Sequence, residues 1–310
     1  MARVWLPYAD LDEARRRLGG LPAGLEVDCF RGDGDDLPSS AGEVELVVLP
    51  YMRPGGARVL QELPSLRVVQ TLTAGVDDVL PHVAPGVTLC NAAGVHDAST
   101  AELALALILT SGRHLDVYAR QQEQGAWKPV PGTALADLRV LILGYGRIGQ
   151  AIEARLRGFE VASITRVARR PRTDPEVHGV DALLDLLPDA DVLVVIAPLT
   201  PDTEGIVDAA ALARLPDRAL VVNVARGRLV DTDALLAETS AGRLRAALDV
   251  TDPEPLPPDH PLWRVPDVLI SPHVGGASSA FAPRADRLIK AQLERFAAGE
   301  PLENVVPTGA

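Results

Sequence analysis

Short apolar runs alternate with stretches of helical period along most of this chain. Residues 4–6 open with such a run, and residues 11–18 follow with apolar positions on one face and charge on the other. Further runs lie at 27–30, 46–49, 68–71 and 87–90, with a helical pattern at 57–63 between the second and third of these. Apolar runs this short, bounded by turn residues, read as buried strands. Strands alternating with helices predict a small α/β unit with a parallel sheet, covering about the first 95 residues. Residues 32–40 read as a flexible acidic loop. Residues 103 to about 111 form the longest smooth apolar stretch, a helix buried on most sides. Ser99 stands where it would cap that helix, with Glu102 at the spacing of a capping box. Residues 125–137 then read as an irregular connection holding Trp127.

The same alternation resumes after residue 138 and reaches nearly to the end. Strand-like runs lie at 140–143, 161–165, 192–196, 220–224, 246–250 and 268–271. Helical patterns at 182–187, 209–215 and 233–239 separate several of them. This is the pattern of a doubly wound parallel sheet, spanning residues 98–275. An amphipathic helix at 279–298 is placed to fold back on the first unit. That makes the first domain discontinuous, 1–97 with 276–310.

The run 140–143 passes directly into Gly144-x-Gly146-x-x-Gly149 and then into a helix with Ile148, Ile152 and Leu156 on one face. Gly144 permits a tight turn, Gly146 lets a pyrophosphate approach the backbone, and Gly149 lets helix and strand pack closely. Free N–H groups at the positive end of the helix would face the phosphates. A strand before the glycines and a helix after them make this a dinucleotide-binding signature rather than a glycine-rich turn.

Composition narrows the setting. The chain has 310 residues, long enough for two cores, with 47% hydrophobic and 23% charged residues. A net charge of −12 opposes binding to nucleic acid or to anionic membranes. Two cysteines, Cys29 and Cys90, cannot build a disulfide framework. No signal peptide is visible, and the apolar stretch at 103–109 is too short to span a bilayer. A cytoplasmic protein with no metal site is the expectation.

Three polar residues fall just after successive strands of the second domain, where the carboxyl ends of a parallel sheet build a site. They are Arg226, Glu254 and His273. Singly, each has an ordinary reading as a surface charge, a solvated carboxylate or a hydrogen-bonded histidine. Together they supply a planar cation for a carboxylate, an imidazole for proton transfer and a carboxylate to raise that imidazole's pKa.

These residues stand within a longer series of ordered motifs. The series comprises Ala74-Gly-Val-Asp77, Thr100-Ala-Glu102, the glycine motif, Pro198-Leu-Thr-Pro-Asp-Thr203, Asn223-Val-Ala-Arg-Gly227, Leu248-Asp-Val250, Glu254-Pro-Leu256 and Pro272-His-Val-Gly-Gly276. On these motifs the chain resembles the D-isomer-specific 2-hydroxyacid dehydrogenases, which include glyoxylate/hydroxypyruvate reductases and phosphoglycerate dehydrogenases. The resemblance covers essentially the whole length. It implies a Rossmann-type dinucleotide domain, a smaller flavodoxin-like α/β substrate domain, a homodimer formed through the second domain, and an NAD(P)-dependent oxidoreductase acting on a small 2-oxo or D-2-hydroxy acid. Arg226 would bind the substrate carboxylate and carbonyl oxygen. His273 would be the proton donor in reduction, and Glu254 its partner. The backbone of Ala74, Gly75 and Val76 would hold the substrate carboxylate.

Cofactor contacts implied by the resemblance run through Gly144, Gly146, Arg147, Ile148 and Gly149, then Thr165, Arg166 and Arg169. They continue through Ala197, Pro198, Thr203, Val224, Ala225, Asp249, His273 and Gly275, with Asp249 near the nicotinamide amide. Glu254 stands where formate-oxidising relatives carry Gln, and Ala74 where phosphite-oxidising relatives carry Lys. Neither substrate is therefore expected, and the loop Tyr51-Met52-Arg53 shows no familiar subfamily pattern. A rival reading is a cofactor-sensing, protein-binding relative of the co-repressor type, which can keep the same three residues.

An NAD-preferring site needs a carboxylate at the end of the strand after the glycine helix, to accept hydrogen bonds from the ribose 2′-OH. The run 161–165 ends at Thr165 without one, and Arg166, Arg169 and Arg170 follow. This predicts NADP in preference to NAD, with Thr165 and Arg166 first against the 2′-phosphate.

Overall fold

The structure, a computed structural model, describes residues 1–32, 37–53 and 55–307. Residues 33–36 of the acidic loop expected at 32–40 lie outside the described residues. The chain divides into two compact units, Met1–His96 with Ser279–Ala310, and Asp97–Ser278.

In the first unit, strands β1 (Ala2–Leu6), β2 (Leu25–Cys29), β3 (Val44–Val48), β4 (Val68–Gln70) and β5 (Thr88–Cys90) form a parallel sheet in the order β2-β1-β3-β4-β5. This is the flavodoxin-like order. Both faces are covered, so alternate residues of one strand enter different cores. Val4 and Leu6 pack with Leu46 and Val48, whereas Trp5 packs with Val47, Val69 and Leu89. Helix α1 (Leu11–Leu18) starts at Asp10, whose carboxylate accepts the Glu13 N–H at 2.7 Å, and stops at Gly19 with φ of 69°. The helical pattern at 57–63 forms a 3₁₀ stretch, Gly56–Glu62. Gly55 and Gly56 weaken its start, and Leu63 precedes Pro64, which disfavours α conformation there.

The second unit begins with helix α2 (Asp97–Arg113), followed by α3 (Leu115–Glu123). Helix α2 starts earlier than its apolar stretch suggested, so Ser99 is inside its first turn and not its cap. The Ser99 hydroxyl instead bonds that of Ser278 at 2.5 Å, and Thr100 donates to the Gly275 carbonyl at 3.3 Å. Buried hydroxyls need partners, and tertiary contacts supply them here in place of the capping box. Helix α3 has no strong apolar period, and the sequence pattern missed it.

Then come β6 (Arg139–Leu143), α4 (Arg147–Leu156), β7 (Ser163–Ala168), β8 (Arg172–Thr173), β9 (Glu176–Gly179), α5 (Leu183–Leu186), β10 (Val192–Val195), α6 (Ala209–Arg214), β11 (Leu220–Asn223), α7 (Thr232–Ser240), β12 (Arg245–Leu248) and β13 (Val268–Ile270). The sheet order is β13-β12-β11-β10-β6-β7-β9-β8, parallel except for the β8–β9 pair. From β6 the chain builds outward first to one side and then to the other, the Rossmann arrangement, and the reversal lies between β6 and β10. All four residues of β10 and of β11 are buried, as a central parallel sheet requires. Helix α8 (Phe281–Ala298) returns to the first unit. It buries Ala285, Leu288, Ile289, Gln292 and Leu293 there, positions three and four apart on one face.

Candidate active site

At the reversal between β6 and β10 the glycine turn is tightly constrained. Gly144 has φ of 110°, and a Cβ on it would lie 2.3 Å from the Ala197 nitrogen after β10. A Cβ on Gly149 would lie 2.5 Å from the Gly144 carbonyl oxygen. Gly146 differs, because a Cβ there would meet nothing within 4 Å. The first and third glycines are therefore demanded by packing, while the second opens onto space. Gly146 is also the extended N-cap of the 10-residue α4, and no side chain caps that helix. Open space over Gly146 and the uncapped donor end of α4 fit the pyrophosphate of a dinucleotide.

Around this turn, Ile148 is half-buried, and Ala197, Val224 and Ala225 are buried. Thr203 ties the loop after β10, donating to the Pro198 carbonyl at 2.7 Å and accepting the Thr200 N–H at 2.8 Å. Arg147 directs its Nε to Asp97 at the start of α2, at 2.9 Å.

The predicted end of the strand after the glycine helix requires a correction. Strand β7 runs to Ala168, three residues past the predicted end, because it pairs with β6 as far as Leu143↔Val167 and with β9 at Ala168↔Gly179. The Gly144 and Tyr145 N–H groups both donate to the Val167 carbonyl, at 2.8 and 3.1 Å. Thr165 is thus inside the strand, opposite Leu141, and not at its end. Arg166 is also inside the strand. Its guanidinium forks onto Glu153 of α4, Nε to Oε2 at 2.7 Å and Nη2 to Oε1 at 2.5 Å. Arg169 and Arg170, directly after the strand end, are exposed. The strand still ends without a carboxylate.

Across the sheet, β11 delivers Arg226. Asn223 shapes the turn, accepting the Ala225 N–H at 3.1 Å and donating to the Arg226 carbonyl at 2.8 Å. A Cβ on Gly227 would lie 2.0 Å from the Thr251 carbonyl oxygen, so glycine is needed for this turn to pack on the segment leading to Glu254. His273 follows β13 with φ of 52°, and its Nδ1–H donates to Glu254 Oε1 at 2.5 Å. That hydrogen bond, more than any other influence, raises the His273 pKa and lowers that of Glu254. Burial and the nearby Arg226 charge act against the rise, and the Glu254 and Asp249 charges act with it. With Nδ1 engaged, the imidazole has Nε2 for a substrate.

Asp249 also organises the loop that carries His273. It is 2% exposed and spends both oxygens on the His273 segment. Oδ1 accepts from Ser271 Oγ at 2.6 Å and the Val274 N–H at 2.9 Å, and Oδ2 accepts the Gly275 N–H at 2.8 Å. The His273 N–H donates to the Asp249 carbonyl at 2.8 Å. A buried carboxylate thus holds the histidine in its left-handed conformation. Sequence reading missed Asp249 and Asn223 as positioning groups. The available signal was the single polar residue in each of two otherwise apolar runs, 220–224 and 246–250.

In the first unit, Ala74, Gly75 and Val76 form a half-buried turn after β4. Asn91 Nδ2 donates to the Ala74 carbonyl at 3.0 Å, and Thr73 Oγ1 to the Gly75 carbonyl at 2.8 Å.

A doubly wound sheet, a glycine turn open to phosphate and a histidine–carboxylate pair beside an arginine define a nicotinamide-dependent oxidoreductase. The profile for the D-isomer specific 2-hydroxyacid dehydrogenase NAD binding domain matches residues 105–275. The chain belongs to the D-isomer specific 2-hydroxyacid dehydrogenase family. It is 36% identical over 226 residues to the glyoxylate reductase/hydroxypyruvate reductase of Mus musculus, 69% of each chain. Among solved structures, it is similar to a D-isomer specific 2-hydroxyacid dehydrogenase from Xanthobacter autotrophicus in complex with NADPH and MES. That likeness has a TM-score of 0.82 and 32% identity, covering 99% of this chain and 98% of that one. An NADPH-dependent glyoxylate/hydroxypyruvate reductase from Sinorhizobium meliloti, in complex with NADP and malonate, also has a TM-score of 0.82. It is 28% identical, with 99% and 97% covered. The protein is an NAD(P)-dependent D-2-hydroxyacid dehydrogenase. No helix among the described residues is long and apolar enough to cross a membrane.

Proposed function

We propose that this enzyme reduces a small 2-oxo acid of the glyoxylate or hydroxypyruvate kind, using NADPH in preference to NADH. The observation that carries the reading is the His273–Glu254 pair beside Arg226, in the same unit as the glycine turn. When bound, the nicotinamide supplies the hydride. Arg226 pairs with the substrate carboxylate through its planar fork and polarises the carbonyl to be reduced. His273 donates a proton from Nε2 to the carbonyl oxygen, and Glu254 holds the ring and favours its charged form. The mouse and Sinorhizobium relatives named for glyoxylate and hydroxypyruvate support this reading over the co-repressor alternative. A kinetic screen of small 2-oxo acids with both cofactors tests it, and absence of turnover with every acid would return the alternative.

Cofactor preference is assigned to Arg169 and Arg170 rather than to Arg166. They follow the true strand end, and no carboxylate closes β7 to repel a 2′-phosphate. Replacing both with alanine is expected to cut the NADPH-over-NADH ratio of kcat/KM by about tenfold or more, leaving NADH turnover nearly unchanged. A wild-type preference for NADH would refute this assignment.

Glu254 gives a pH prediction. The His273 pKa is raised, so its protonated form persists to higher pH, and reduction is lost as pH rises through that value. Glu254→Gln removes the carboxylate, so the alkaline limb of kcat/KM for reduction moves to lower pH. An unmoved limb would mean that another group donates the proton.

We also read the protein as a cytoplasmic homodimer. Leu115, Trp127 and Val130 of the second unit are exposed, Trp127 at 96%, an apolar set suited to a second copy. A monomer mass by sedimentation would remove that part of the reading.

A further inference from the structure

Beneath the glycine turn lies an ionic cluster that the cofactor chemistry above does not use. Glu153 of α4 is 2% exposed, and a carboxylate so buried is tolerated only when its oxygens are satisfied. It is bound by three groups. Arg166 of β7 forks onto it, Tyr145 donates its hydroxyl to Oε2 at 2.5 Å, and Arg157 reaches Oε1 at 2.8 Å. Together these hold Glu153 ionised, with its pKa down at about 2.

Tyr145 is the residue between the first two glycines, and every part of it is restrained. Its N–H bonds Val167 of β7, its hydroxyl bonds Glu153 of α4, and its carbonyl accepts Arg172 Nη2 at 2.6 Å. The Arg166 and Arg172 guanidiniums lie over its ring, at 5.6 and 5.4 Å from the centroid. The turn that must meet the pyrophosphate is thus bolted to the strand on one side and to the helix behind it.

We infer that Glu153, Arg166 and Tyr145 act as a positioning latch that pre-organises the glycine turn and so sets affinity for the pyrophosphate shared by NADPH and NADH. A turn held in its binding conformation loses less freedom when the ligand arrives. Arg166 has a carboxylate partner and a scaffold role, and it does not read the 2′-phosphate. The inference rests on dinucleotide binding at the glycine turn and is independent of which acid is reduced.

The test measures Kd for NADPH and for NADH separately, by titration calorimetry, together with kcat at saturating cofactor. Arg166→Met is expected to weaken both dinucleotides by the same factor, on the order of tenfold, with kcat held within about twofold. Arg166→Lys should recover part of the loss. Tyr145→Phe removes a single hydroxyl and should weaken both cofactors equally, about threefold. It carries the test if Arg166→Met fails to fold. Loss confined to NADPH would overturn the latch and make Arg166 a phosphate reader. Unchanged affinity for both cofactors in a folded Tyr145→Phe protein would overturn it too, leaving a structural cluster only. The wild-type NADPH-to-NADH ratio decides the cofactor preference separately, so the two readings fail in different ways.

Discussion

His273→Ala is expected to lower the rate of 2-oxo acid reduction by about 10²–10⁴-fold, the range for losing a positioned acid. kcat and kcat/KM should fall together, because the proton is delivered in the transition state. Residual catalysis would come from Arg226 and from holding the two reactants in place. The backbone needs its own control. His273 sits at φ of 52°, a conformation that costs alanine roughly 1–2 kcal/mol. Asparagine tolerates that region far better, so His273→Asn separates lost chemistry from lost loop shape. Both variants should bind NADPH nearly as the wild type does. Near-normal turnover in either would remove His273 from the proton-transfer role.

Arg226→Lys is the second large effect. The substitution keeps a positive charge but loses the planar fork that matches a carboxylate. Arg226 already gives one Nη1 donor to the Ala225 carbonyl, which orients the guanidinium, and Asn223 holds the turn beneath it. A flexible ammonium cannot copy that arrangement. Losing one charge-assisted hydrogen bond of the fork costs about 1.5–3 kcal/mol, so KM for the 2-oxo acid should rise roughly 10- to 10²-fold. Thermal stability should change little. A lysine variant with an unchanged KM would show that substrate is anchored elsewhere.

Much of this protein was readable from local pattern. Buried parallel strands need continuous apolar runs, so β6, β10, β11 and β12 stood out at nearly their observed limits. The glycine motif was legible because two of its positions are forced by sub-van-der-Waals approach, at 2.3 and 2.5 Å, which no side chain permits. Arg226, Glu254 and His273 were visible as polar residues punctuating strand ends. Other features depend on contacts distant in sequence. β7 extends to Ala168 because β6 offers it partners as far as Val167 and β9 pairs with Val167 and Ala168, and no local signal in Ser163–Ala168 encodes that. The same pairing places Arg166 over Glu153 of α4 and leaves the strand end to Arg169 and Arg170. The role of Asp249 in holding the Ser271–Gly275 segment rests on groups more than twenty residues away, which donate to its oxygens only in the fold. Ser99 has the spacing of a cap, yet Ser278, 179 residues away in sequence, takes its hydroxyl. Apolar period and glycine sterics are properties of neighbouring residues, so the sequence alone determined the elements and the glycine turn. The partner of a buried charge or hydroxyl is whichever group folding brings near, so only the tertiary structure decided what Arg166, Asp249 and Ser99 do.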